Sequence, residues 1–340
     1  MPQRTRKTAW ILCKKLFQFL LALFLLSLAV FYMARLAPGD PLRSYYGESV
    51  ERMSPQERES AIHSLGLDQP IHTQYKIWLS NAFHGEWGIS FKYKQPATSV
   101  IGTLYQNTLL LGGLAYVFTF GLALLLGIFC ALHEDTLWDR AICKIGTVTN
   151  CIPSFWISLV LILIFSVNLG WLPSSGAYAL GKAGDVASRI RHLILPLTVL
   201  VLSHLWYYAY MVRNKLMEEI RQDYVLLAKA KGLSRRKIVT RHCLRNILPT
   251  YISLMAISIP HILGGTYIVE QVFSYPGLGS LCFESAKYHD YNLLMILCLI
   301  TGALVILSNM LSQVLHNRID PRMKREGGDD SWTEPTRVLS

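Results

Sequence analysis

The sequence predicts an all-α integral membrane protein with six membrane-spanning helices. Three observations lead there. The 340-residue chain is 52% hydrophobic and 16% charged, below the ~25% charged residues usual in soluble domains. Its apolar residues gather into runs near ~20 residues, the length that crosses a bilayer as a helix. Its surplus of Lys and Arg, a net charge of +11, falls at alternate ends of those runs. In a membrane protein such a surplus marks cytoplasmic loops rather than a nucleic-acid partner. Mean hydropathy is +0.32.

Residues 1–36 supply a basic tail and span 1. The tail carries Arg4, Arg6, Lys7, Lys14 and Lys15 and no acid, and the apolar run follows from Leu16 to Leu36. A secretory signal peptide fits less well, because its apolar region is usually ~7–15 residues. The reading is a retained span with its N-terminus inside.

Residues 37–100 are polar and read as an external segment too poor in apolar residues for a core of its own. Ser54, Pro55 and Glu57 form a capping box that starts a short helix ending near Gly66. A second helix over 70–83 presents Tyr75, Trp78 and Leu79. GEWGISF at 85–91 reads as a turn into a short extended piece.

Residues 101–318 form the core. Span 2 covers Thr108–Leu132, and a short loop with Glu134, Asp135, Asp139 and Arg140 follows. Span 3 covers Ile145–Leu169 with Pro153 inside it. A Gly- and Ser-containing loop begins at Gly170, where Trp171 suits the interfacial aromatic belt. Span 4 covers His192–Val212, and its Trp206, Tyr207, Tyr208 and Tyr210 suit packing against other helices. Span 5 covers Thr250–Val272 and span 6 Tyr291–Leu315. Residues 319–340 form a polar cytoplasmic tail of disordered composition.

Charge counting fixes the expected orientation. Residues 214–247 carry nine basic and three acidic side chains, whereas 39–99 carry six basic and seven acidic. The positive-inside rule puts 214–247 and both termini in the cytoplasm.

That basic stretch, Arg213–Pro249, is the unusual one. Leu216, Ile220, Tyr224, Leu227 and Ala228 make one apolar stripe on a first helix. Gly232 suits the left-handed position that ends a helix. Ser234 suits the cap of a second, in which Ile238, Val239 and His242 share a face. Pro249 suits the start of span 5. Three readings compete: a basic loop lying on anionic headgroups, a DNA-binding helix-turn-helix, and a plug for a partner's cleft. Flanking spans leave the second no room to enter a groove.

Chemistry-bearing candidates are few. Cys13, Cys130, Cys143, Cys151, Cys243, Cys282 and Cys298 show no metal-ligand spacing and read as small hydrophobes rather than disulfides. His204 and His261 lie mid-span, where ionisable residues face a bundle interior or a cavity. The choice for His261 is between a packing role and a place on a pathway, even one that touches a metal chelate. Glu270 is either a solvated acid or part of a gate. The chain lacks HExxH, GxSxG and GxxxxGK[ST], and His133-Glu134 has no second His, which argues against an intramembrane enzyme and against ATP hydrolysis here. A passive channel is the remaining rival.

Ala228, Ala230, Lys231, Gly232, Leu233 and Ser234, followed by His242, Leu244, Arg245, Asn246 and Pro249, resemble the cytoplasmic loop of bacterial ABC importer permeases. The likeness is to the dipeptide, oligopeptide and nickel uptake group, and to the first, B-type, permease of its pair. Leu226 stands where the general importer motif has an acid, as this group often does. RLAPGDP (35–41), LGLDQP (65–70), QYKIWL (74–79), GEWGIS (85–90), NTLLL (107–111), IPSFW (152–156), GWLPSSG (170–176), VEQVFSYPGLG (269–279), HDYNLL (289–294) and DPR (320–322) add to it in order. The resemblance implies the type I importer permease fold, with a cytoplasmic coupling helix between spans 4 and 5. It implies a second homologous permease, two ABC ATPase subunits that hold the ATP and Mg, and an extracytoplasmic binding protein. It implies no cofactor or metal on this chain, and no nucleic acid. Tyr224 and the loop residues named above would couple to the ATPase. His261, Gly264, Gly265, Glu270, Tyr275, Pro276 and Gly277 would be gate or pathway candidates. Cargo would be di- or oligopeptides, with nickel or its chelate the alternative.

Overall fold

The computed structural model describes residues 2–36, 40, 42–90 and 92–319. RLAPGDP falls partly, and DPR with the rest of the polar tail from residue 320 wholly, outside the described residues.

Helix α1 (Pro2–Leu36) is followed by α2 (Arg43–Tyr46), a tight helical turn at Gly47–Arg52, α3 (Pro55–Ser64) and α4 (Ile71–Phe83). The expected capping box opens α3: the Glu57 amide donates to Ser54 Oγ at 3.3 Å, and the Ser54 amide donates to Glu57 Oε2 at 2.8 Å. Helix α4 is pinned to α1 by its aromatic face. Tyr75 and Trp78 pack on Phe31, and the Tyr75 hydroxyl meets Ser27 Oγ at 2.7 Å. The segment keeps one small apolar cluster, Leu42, Val50 and Ala61. A ribbon of β1 (Ile89–Ser90) and β2 (Gln95–Pro96), antiparallel with Ile89 opposite Pro96, leads into α5 (Ala97–Leu132).

Span 3 is not one helix. Helix α6 (Leu137–Asn150) meets α7 (Ser154–Leu161) at 101°, and α7 continues as a π-helical turn over Ile162–Asn168. Pro153 is the cause. It disfavours helical backbone at Ile152, takes extended ψ of 140° itself, and starts α7 from its own carbonyl. Helix α8 (Val186–Ile220) then runs two turns beyond the expected span. After it come α9 (Asp223–Ala230), α10 (Arg235–Lys237), a π-helical turn at Ile238–Cys243, α11 (Leu244–Val272), α12 (Leu278–Lys287) and α13 (Tyr291–Ile319).

Among the described residues five helices are long and apolar enough to cross a membrane, and the bent pair would make a sixth. They are α1, α5, α8, α13 and the continuous helix Arg235–Val272. Pro249 therefore does not begin span 5. It lies inside α11, where neighbouring helices tolerate the lost backbone bond. The main core lies between α5, α8 and α11. Gly127 permits the close approach of α5 and α8, since a Cβ there would lie 2.5 Å from Val212. Phe120, Tyr208 and Tyr251 interlock at the centre, and the Tyr251 hydroxyl donates to the Phe120 carbonyl at 2.5 Å. All seven cysteines are free.

Candidate functional site: a clamped basic helix and a buried carboxylate knot

The basic stretch Arg213–Pro249 is built around α9. Leu216 and Ile220 do not share its helix. Helix α8 ends at Ile220, Gln222 turns extended with ψ of 153°, and Asp223 opens α9, where an acid suits the helix dipole. The expected stripe is thus divided between two helices. On α9 itself Val225 and Ala228 are buried, Tyr224 is half-buried, and Leu226 and Leu227 are 61% and 59% exposed.

The C-terminus of α9 is a Schellman turn. The Leu233 amide reaches back to the Ala228 carbonyl at 3.2 Å and the Gly232 amide to the Lys229 carbonyl at 2.9 Å. Gly232 holds φ of +74°, which a side-chain-free residue adopts without penalty. Ser234 Oγ accepts from the Lys237 amide at 3.4 Å, and the helix then runs unbroken into α11. Ile238, Val239 and Cys243 bury its inner face and His242 is half-buried. Lys229, Ala230, Lys231, Gly232, Arg236, Lys237, Arg241 and Arg245 are exposed.

Ion pairs clamp this unit to the bundle. Arg235 donates to the Ala131 carbonyl at 2.9 Å and to Glu134 at 2.7 Å. Arg213 makes a two-pronged pair with Asp139, at 2.7 and 2.6 Å, and Asp139 is 1% exposed. The Tyr224 hydroxyl donates to Glu219 at 2.5 Å, and the Asn246 amide donates to the same oxygen at 3.3 Å. Burial first, and then that carboxylate, push the Tyr224 phenol well up. Glu134, Asp139, Arg213 and Glu219 had no assigned role in the sequence reading. Their signal was charge beside a span, without an indication of the partner.

A second constellation lies at the other end of α11. Glu270 is not a solvated acid, for it is 0% exposed. Thr108 Oγ1 donates to Glu270 Oε1 at 2.7 Å, and the amides of Gly279 and Ser280 donate to Oε2 at 2.7 and 3.0 Å. Those amides belong to the first turn of α12, so the carboxylate caps that helix and complements its dipole. Thr108 Oγ1 also accepts from the Leu278 amide at 2.7 Å, and Asn107 donates to the Pro276 carbonyl at 2.7 Å. A Cβ on Gly277 would lie 2.4 Å from the Glu270 carboxyl, so only glycine fits. Tyr275 is buried beside it, and burial raises its phenol to about 12. The structure thus brings together Glu270, Tyr275, Pro276 and Gly277. It adds Thr108, Asn107, Gly279 and Ser280, of which only the NTLLL and PGLG stretches gave a hint.

His261, Gly264 and Gly265 lie deeper along α11, apart from that knot. His261 and Gly264 are exposed, and Gly265 packs on the His204 ring. Among the described residues no group of three or more His, Cys, Asp or Glu is placed to hold a metal ion.

Comparison with known proteins matches this geometry to a family. The model described as Binding-protein-dependent transport system inner membrane component matches residues 123–325. Its companion, Binding-prot-dependent transport system membrane comp, N-term, matches residues 9–111. The chain belongs to this family of inner-membrane transport permeases. It is a multi-pass permease subunit of a binding-protein-dependent transporter. The permease is 33% identical over 295 residues to the oligopeptide transport system permease protein AppB of Bacillus subtilis (strain 168), covering 86% of this chain and 92% of that one. It is 33% identical over 321 residues to the di/tripeptide transport system permease protein DppB of Pseudomonas aeruginosa (strain UCBPP-PA14), covering 89% and 95%. It is 33% identical over 313 residues to the oligopeptide transport system permease protein OppB of Haemophilus influenzae (strain ATCC 51907 / DSM 11121 / KW20 / Rd), covering 92% and 98%. An inward-facing structure of the MetNI methionine ABC transporter shares the fold, with a TM-score of 0.52 at 18% identity over 66% of this chain and 98% of that chain.

Proposed function

We propose that this permease forms part of the translocation pathway of an ATP-driven importer of di- and oligopeptides. The relatives named above support peptides, and they favour them over the nickel alternative. On this reading the bent α6–α7 pair crosses as one span, giving six, and both termini lie in the cytoplasm. Residues 37–100 form an external appendage, 101–318 the pathway-forming core, and 319–340 a cytoplasmic tail. A second homologous permease completes the pore. Two ATPase subunits carry the ATP and Mg, and this chain carries no cofactor.

One observation supports ATPase docking above the others. Helix α9 is fastened to the bundle on one face and offers Leu226, Leu227, Ala230 and Gly232 on the other. An apolar pair with small residues beside it suits a cleft, whereas the headgroup reading would lay the basic residues on lipid. Ala228 is excluded from that surface, because it is 7% exposed and faces the core. The outer knot of Glu270 serves on this reading as a fixed point for the gate, holding α11, α5 and α12 in register.

The test is co-purification of the ATPase subunits and uptake of a labelled dipeptide by the reconstituted complex. Leu226→Asp and Ala230→Glu are expected to leave insertion and melting unchanged, to lose the ATPase subunits, and to abolish uptake. Wild-type ATPase recovery with wild-type uptake in both variants would refute docking at α9.

A further inference from the structure

A cavity of about 580 Å³ lies where α1, α4, the β1–β2 ribbon and α13 meet, within the ~300–1,000 Å³ of a small-molecule site. Its depth in a bilayer follows from two spans. The apolar stretches Cys13–Leu36 and Tyr291–Val314 have 24 residues each, about 36 Å of helix against ~30 Å of hydrocarbon. They are in register, because a Cβ on Gly302, at the middle of one, would collide with Leu26, at the middle of the other. Arg35 and Asn292 both line the cavity, nine and ten residues from that contact. They therefore stand about 14 and 15 Å from the midplane, where half of the hydrocarbon thickness ends. Trp78 and Trp87 line it too, with ring centroids 6.1 Å apart, and indoles favour that boundary. Ile77 and Ile89 add an apolar rim outside the spans, 50% and 62% exposed. The cavity sits at the level of lipid headgroups.

Three charged side chains line it: Arg35, Lys94 and Glu86. Among the described residues none of the three makes an ion pair, and the neighbouring acids are engaged elsewhere, Asp40 with Arg58, Glu51 with Arg43, Glu284 with Lys92 and Asp290 with Ser90. Arg35 is held in place without an anion. Its Nη2 donates to the Tyr45 hydroxyl at 3.2 Å, and its guanidinium lies 5.3 Å from the centroid of the Phe31 ring. The Tyr45 hydroxyl keeps its own proton to donate. Lys94 is exposed on the turn of the ribbon, at a φ of +54° that is uncommon for a residue with a side chain. Arginine, lysine and a phenol suit a phosphate ester. A carboxylate beside two indoles suits an ammonium group.

We propose that this cavity holds the headgroup of a phosphatidylethanolamine molecule from the adjacent leaflet, with its phosphate on Arg35, Tyr45 and Lys94 and its ammonium group on Glu86 and the two indoles. Phosphatidylglycerol has no ammonium and would leave Glu86 unpaired near its phosphate. The inference rests on the crossing of the membrane by α1 and α13 and is indifferent to the cargo.

The experiment takes the assembled complex in detergent, offers it an equimolar mixture of dioleoyl phosphatidylethanolamine and dioleoyl phosphatidylglycerol, and counts retained lipid by native mass spectrometry. The wild-type complex should retain one phosphatidylethanolamine more than a complex with Arg35→Gln or Lys94→Gln. The apparent Kd for that lipid should rise roughly tenfold in either variant, the worth of one hydrogen bond to a charged group. Lys94→Gln alters an exposed side chain and should melt as wild type does, so its loss of lipid is not a loss of fold. Glu86→Gln should remove the preference for phosphatidylethanolamine. Equal retention by wild type and Lys94→Gln overturns the proposal, and so does equal retention of the two lipids by wild type. Displacement of the lipid by millimolar inorganic phosphate also overturns it, because the site would then be one for a free anion. Loss of binding-protein docking in Lys94→Gln with lipid retention unchanged would give the cavity to that partner and overturns it too.

Discussion

Replacing Glu270 by Ala removes the acceptor for three buried donors at once. They are the Thr108 hydroxyl and the amides of Gly279 and Ser280, all within 3.0 Å of the carboxylate. A buried donor left unsatisfied costs about 1–3 kcal/mol. Taking the low end for each gives about 3 kcal/mol, before any charge for the space left behind. On the soluble-domain scale of ~2–4 °C per kcal/mol, that is a drop of roughly 6–12 °C in melting midpoint. Glu270→Gln should cost less, about 1–2 kcal/mol. One amide oxygen still serves the α12 amides, but as a neutral acceptor of roughly half the strength. Its NH₂ then faces Thr108 Oγ1, which must accept it while keeping the Leu278 amide. The assay is intrinsic-fluorescence melting of the purified permease in detergent. Glu284→Ala is the control, because Glu284 makes only surface contacts, with Lys92 at 2.5 Å and Tyr93 at 3.1 Å. A Glu270→Ala protein that melts within about 2 °C of wild type, the scatter of a surface change, would refute the capping role.

Asp139→Ala should destabilise by about 3 kcal/mol, because it strands the Arg213 guanidinium, and adding Arg213→Met should restore part of that loss. Melting of the single and double variants checks it, and simple additivity would count against the pair. In the segment between α1 and α5, hydrogen bonds from the Ser54 amide and hydroxyl hold the Glu57 carboxyl below its ordinary 4.5. A depressed pKa contributes stability above the unfolded value and loses it as pH falls through the folded one. Hydrogen exchange at the start of α3, corrected for intrinsic rates, should therefore accelerate on acidification, and Glu57→Gln should abolish the dependence. For orientation, a cysteine at Ser234 should be shielded from impermeant maleimide in intact cells and one at Ser174 labelled, in a background without native cysteines. The reverse pattern would invert the topology.

What the sequence made legible was local. The capping box at Ser54 and the left-handed Gly232 depend on residues within one turn of each other, and both are present. The apolar runs are also local sums, and they mark five of the spans as single helices. Where hydropathy and a proline disagreed, at Pro153, the proline won, because a run of apolar residues does not restore a backbone bond. The stripe from Leu216 to Ala228 suggested one helix because periodicity does not register a single extended residue at Gln222. Glu270 was visible as an acid at a span's end, but its meaning lies in Thr108, 162 positions away. Asp139 and Arg213, 74 positions apart, were hidden for the same reason.

The long helix Arg235–Val272 is tied to α5 at three levels. Arg235 holds the Ala131 carbonyl near its start, Tyr251 holds the Phe120 carbonyl midway, and Glu270 holds Thr108 near its end. At 1.5 Å per residue its 38 residues span about 57 Å. Two helices fastened at top, middle and bottom rotate together rather than bend, even with Pro249 and Pro260 in one of them. The backbone breaks lie elsewhere: at Gln222 and Gly232 on either side of α9, and at Cys151–Pro153 between α6 and α7. On the importer reading, a push on α9 therefore turns α5 and α11 as one body and reaches the Glu270 knot undiminished. The opening of the pathway is then a change in how that body sits against α6, α7 and the partner permease, the rigid-body class of transition.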